Sequence, residues 1–131
     1  MVNSRTEGPM PDPNEMREIL KGADEFNAGK LFECHDTLEE VWRGTRGPAR
    51  DFLQGLIHIA VGFYHLSNGN LTGGESQLDK GLKRLSEYGD SFLGMDLRTL
   101  RREIQSWLDK VRRGEKLQGT VADLPKYRFD I

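Results

Sequence analysis

Residues 50–66 read RDFLQGLIHIAVGFYHL, and the fold turns on what this run is. Phe52, Leu53, Leu56, Ile57, Ile59, Ala60, Val61, Phe63 and Leu66 cover most of a helical circumference, which marks a central helix. The run from Phe52 to Leu66 is too short to span a bilayer, which needs about 20 residues, and Gln54 and His58 interrupt it. At about 100° per residue, Asp51, Gln54, Gly55, His58, Gly62 and His65 fall in one narrow sector. Polar residues and glycines therefore share a face. Without a Cβ at the glycines, another helix can approach closely there, with polar side chains reaching across.

Residues 32–42, FECHDTLEEVW, offer a surface to match. Phe32, His35, Glu39 and Trp42 are spaced three, four and three apart and lie on one helical face. The short GTRGPAR connection predicts that this helix and the next are antiparallel neighbours. His35 and Glu39 are then expected to face Gln54, His58 and His65. A buried polar group left unpaired costs roughly 1–3 kcal/mol, so these side chains need partners, an ion, water or a ligand. Near the linker, Asp51, Arg50, Arg43 and Glu40 are expected to form an ion-pair cluster, with Arg50 the counter-ion of Glu39 or Glu40.

Outward from this pair the pattern stays helical. Asp12 caps a first helix, with Pro13 at its first position and Glu15 at its third. Met16, Ile19, Leu20, Ala23 and Phe26 form its apolar face, and Gly29 ends it. The second helix is expected from about Leu31 to Arg43, and the third from Pro48 to about Leu66. SNGNLTGG reads as a turn cluster before a fourth helix in ESQLDKGLKRLSEYG, residues 75–89. Asp96 caps a fifth, whose stripe is Leu97, Leu100, Ile104, Trp107, Leu108 and Val111. Residues 117–131 lack helical spacing and are expected to cross the bundle as an extended strap. Residues 1–11 read as a flexible tail and 12–131 as one domain. No strand pair or repeat is expected. The fold class is all-α: a compact bundle of about five helices with a polar contact between the second and third.

Composition bounds the function. Of 131 residues, 36% are hydrophobic and 31% charged, which suits a soluble globular chain. The net charge of −2 gives no global field to gather nucleic acid or acidic lipid. Cys34, the sole cysteine, excludes an internal disulfide and fits a reducing compartment. With no signal-like apolar core at the start, a cytoplasmic location is expected.

Several chemistries could use the polar face. His35 and Glu39, one turn apart, could chelate a divalent metal ion with His58 as third ligand. His58 and His65 are about 10.5 Å apart along the axis and do not share one ion. Without an ion, these histidines simply donate within the helix contact. A small-ligand pocket floored by Trp42, Phe63 and Tyr64 is a second reading, against plain core packing. The basic fifth helix, with Arg98, Arg101, Arg102, Arg112 and Arg113, reads as a solvated face, since acids interleave and no aromatic ladder accompanies it. Cys34 points about 100° away from His35 and is expected to be a small packing residue.

FNAGKLFECHDTLEEVWRG, RDFLQGLIHIAVGFYHLSNGN and GLKRLSEY together resemble an uncharacterised helical family, the domain of unknown function 309. The resemblance rests on Phe26, Asn27, Gly29, Phe32, Glu33, His35, Asp36, Glu39 and Trp42, and continues through Gln54, Gly55, Tyr64, His65, Gly69 and Asn70. It implies a compact helical bundle and no established activity. The expected role is a small binding or interaction protein for a small molecule or protein partner. Its polar cluster comprises His35, Glu39, Trp42, Arg50, Asp51, Gln54, His58 and His65. The alternative is a metal-dependent, hydrolase-like enzyme using His35, Glu39 and His58.

Overall fold

The computed structural model describes residues 7–115 and 123–130. Five α-helices follow in order: α1 (Pro13–Asn27), α2 (Leu31–Gly44), α3 (Ala49–Ser67), α4 (Leu71–Leu85) and α5 (Leu97–Arg112). α1 begins as its residues dictate: the Asp12 side chain accepts from the Glu15 amide while Glu15 reaches back to the Asp12 amide. Asp96 caps α5 by accepting from the amide of Thr99. Gly29, with φ of 79°, closes α1 in a left-handed conformation that suits glycine.

α4 begins four residues earlier than its apolar spacing suggests. The Asn70 side chain accepts from the Gly73 amide, so LTGG is the first turn of the helix rather than part of a loop. Between α4 and α5 lies a feature the sequence pattern does not announce. A 3-10 turn at Ser86–Tyr88 leads into two antiparallel two-residue strands, β1 (Ser91–Phe92) and β2 (Met95–Asp96). Leu93 and Gly94 make the turn between them with φ of 51° and 82°, both in the left-handed region.

α3 is the hub, with Phe52, Leu53, Leu56, Ile59, Ala60 and Phe63 all buried. α2 packs antiparallel to it: Phe32 touches Tyr64 at one end, and Arg50 covers Trp42 at the other. At the linker end these two helices meet through a polar contact other than the expected one. Arg50 donates to the carbonyls of Trp42 (2.9 Å) and Thr45 (3.2 Å) at the C-terminus of α2.

The glycine stripe of α3 faces α4. A Cβ on Gly62 would meet Leu78 at 2.8 Å, and one on Gly55 would meet Leu85 at 3.0 Å. The contact is reciprocal, because a Cβ on Gly81 of α4 would meet the Gly55 carbonyl at 2.9 Å. The close approach read from the glycines is real, and its partner is the fourth helix.

Residues 123–130 lie across the bundle as the expected strap. Tyr127 is 2% exposed and stacks on Phe26, the ring centroids 3.7 Å apart and nearly parallel. Asn27 holds the strap by both backbone groups: its Oδ1 accepts from the Tyr127 amide and its Nδ2 donates to the Tyr127 carbonyl. The parts of the expected strap at 117–122 and 131 lie outside the described residues, as do residues 1–6 of the expected tail. Among the described residues, no helix is long and apolar enough to cross a membrane.

Candidate functional site

α2 buries a different stripe from the one its aromatic residues suggest. Leu31, Cys34 and Leu38 point into the core, and Cys34 is fully buried. Burial pushes its thiol up to about 12, which makes it a packing residue rather than a nucleophile. The stripe Phe32–His35–Glu39–Trp42 therefore lies at the rim. Phe32 is 54% exposed, and only Trp42 leans inward against the core.

At this rim His35 stands between two carboxylates of its own helix. Its Nε2 lies 2.8 Å from Glu39, and its Nδ1 lies 3.2 Å from Asp36. A neutral ring can donate to one of them and a protonated ring to both. Glu39 also accepts from Arg43, which bonds Glu40 as well. Arg43 is thus the counter-ion expected of Arg50, whose guanidinium is engaged with Trp42 and the end of α2. Asp51 pairs with Arg84 of α4 at 3.0 Å.

The histidines of α3 turn the same way as its glycines. The Nδ1 of His58 lies 2.7 Å from Oε1 of Gln77 on α4, and its Nε2 lies 3.5 Å from Nε2 of Gln54. A neutral ring protonated at Nδ1 fits both contacts: it donates to Gln77 and accepts from Gln54. His65 lies 3.3 Å from the Asn70 amide at the start of α4. The expected facing of His35 and Glu39 onto Gln54, His58 and His65 is accordingly corrected. The first pair bonds within α2, while the α3 residues serve the α3–α4 contact. The proposed metal set is divided in the same way. His35 and Glu39 stand together, His58 belongs to Gln77, and among the described residues no three His, Cys, Asp or Glu side chains could hold an ion. The expected aromatic floor is also split. Phe63 is buried against Phe26 and Trp107, whereas its neighbour Tyr64, about 100° around the helix, points outward.

Burial holds the His58 imidazole below its ordinary value of 6.5; the Gln77 bond opposes this, and Arg84 and Lys80 add to it. A lowered value in the folded state means that the unfolded chain binds the proton more readily. The contribution of His58 to stability is complete above pH 6.5 and is lost as pH falls through the lowered folded value. Urea midpoints between pH 7.5 and 5 are expected to fall more steeply for the native chain than for His58→Gln. Equal slopes in the two proteins would refute this.

Two arginines of α5 are engaged with the rest of the bundle. Arg112 pairs with Glu75 and Asp79 of α4, and Arg101 donates to the carbonyls of Leu85 and Gly89. Sequence reasoning placed Phe32 inward and so missed the exposed ring pair. Phe32 and Tyr64 meet across α2 and α3 with centroids 6.0 Å apart, and Tyr64 is 40% exposed. The available signal was the competing stripe Leu31–Cys34–Leu38, which leaves Phe32 no room inside.

A five-helix bundle with an aromatic and acidic rim along α2 and α3 is the class that fold and site define. Residues 19–76, from within α1 into α4, match the family model of a domain of unknown function, DUF309. The resemblance read from the motifs is thereby borne out. An uncharacterized protein of Aquifex aeolicus (strain VF5) is similar, 29% identical over 116 residues. The match takes in 87% of this chain and 32% of that protein, so the chain spans about a third of the length of this relative.

Proposed function

We propose that the chain is a binding module that engages a partner through the rim formed by Phe32, His35, Glu39, Tyr64 and His65. The observation that carries this reading is the exposed ring pair, Phe32 at 54% and Tyr64 at 40%, set beside the His35–Glu39 pair. Other residues of the family motifs have evident structural work. Phe26 and Asn27 hold the strap, Gly55 admits α4, and Asn70 caps that helix. Phe32, Glu33, Asp36 and Tyr64 lie outside such work, on the surface. The Aquifex relative adds support, because a similar stretch there occupies about a third of a longer chain. The divided ligand set removes the support for a metal-dependent enzyme built on His35, Glu39 and His58.

Site-specific photo-crosslinking in cells tests the reading. A benzophenone side chain at position 32 or 64 is expected to give one discrete adduct, absent when it is placed at 98 or 102 on α5. No adduct from either rim position, or the same pattern from all four, would remove the proposal.

A further inference from the structure

The rim has a charge as well as a shape, and the charge points to the chemistry of its partner. Taken at about 100° per residue, Asp36 lies one turn and Glu39 two turns along α2 from Phe32, on either side of its line. Glu33 and Glu40 lie further round the same exposed side. Against these four carboxylates that side carries one guanidinium, Arg43, already shared by Glu39 and Glu40. Lys30 is two residues from Phe32 and so on the far side of the helix. The adjoining helix supplies no lysine or arginine from Asp51 to the end of α3. The acidic field continues past Glu40 into an open cleft between α1 and α2, where Asp12, Glu15 and Glu18 join it without a basic residue in the lining.

Exposed aromatic rings bordered by carboxylates are suited to cations. A guanidinium or ammonium gains from the ring face and from the carboxylate together, and a like-charged partner is repelled. Nucleic acid and anionic membranes are disfavoured for that reason. Resting on the binding role proposed above, we infer that the rim docks a basic protein segment, its arginine or lysine heads placed against Asp36 and Glu39 and its stems across Phe32 and Tyr64.

The probes are two capped octapeptides, alternating arginine with leucine and glutamate with leucine, titrated into the full chain and followed by NMR. The arginine peptide is expected to shift Phe32, Tyr64 and Asp36 saturably, with affinity falling at least tenfold in Asp36→Lys and between 20 and 300 mM salt as charges are screened. Phe32→Ala should weaken it as well, while the circular dichroism of both surface variants stays native. If the glutamate peptide binds the rings as tightly, or Asp36→Lys has no effect, the basic partner is refuted and the docking face stands. If the arginine peptide shifts other residues and leaves both rings unmoved, the inference fails, and crosslinking at 32 and 64 decides separately whether the face docks anything. Self-association that moves the same rings without peptide would make a second copy the occupant and overturn the assignment.

Discussion

Tyr127→Ala is expected to lower the unfolding free energy by about 3–5 kcal/mol, the range for removing a buried aromatic side chain. Domains of this size are held by roughly 5–15 kcal/mol, so the loss is a large share of the total. The expectation rests on two side-chain contacts that fail together. The ring is buried and stacks on Phe26, and its hydroxyl donates to the Leu56 carbonyl at 2.7 Å, while the backbone bonds to Asn27 are open to alanine as well. Tyr127→Phe keeps the stack and loses only the hydroxyl bond, for which about 0.5–1.5 kcal/mol is expected. Urea unfolding of the three proteins checks both figures. An alanine variant within 1 kcal/mol of the native chain would mean that the strap is no part of the core.

The second large effect is a reversal of sign. Alanine in place of a helical glycine ordinarily stabilises by about 1 kcal/mol, through propensity. At Gly81 it is expected to destabilise by about 1–3 kcal/mol, the usual consequence of overpacking. The added Cβ would meet the Gly55 carbonyl at 2.9 Å and Ile59 at 2.6 Å, and a backbone oxygen within a helix cannot step aside. Gly44, the last residue of α2, has nothing within 4 Å of its would-be Cβ and serves as the control. Thermal unfolding of Gly44→Ala is expected to be unchanged or slightly raised, and that of Gly81→Ala clearly lowered. A rise in both would show that α3 and α4 do not need their close approach.

These cases also show what the residues disclose in advance. The helices are legible because each announces itself locally, through Asp12 and Glu15, the glycine after α1, or the Asp96 cap. The start of α4 is obscured because Gly73 and Gly74 look like loop residues, while the cap that begins the helix is Asn70. The small hairpin is hidden for a related reason. Its two-residue strands are too short to show a period, and its turn is Leu93–Gly94 rather than the usual Asn-Gly.

Periodicity found the polar and glycine face of α3 but not which neighbour it meets. A face has a direction around one helix, and only packing decides what stands there. On α2 two stripes share the helical spacing. The spacing of Phe32, His35, Glu39 and Trp42 defines one face equally well, yet the volume beneath α2 accommodates Leu31, Cys34 and Leu38. The binding rim follows from that choice: side chains read as half of an internal contact are displayed at the surface. Asn27 and Tyr127 could not be paired from sequence, since no local pattern links residues 100 positions apart.

That separation has a consequence during synthesis. Translation at roughly 5–20 residues per second puts about 5–20 s between the appearance of Phe26 and that of the tyrosine that covers it. Through that interval Phe26 lacks the ring that stacks on it. The nascent chain therefore passes through a stage in which its first helices exist without the piece that closes them, and any chaperone contact should concentrate there.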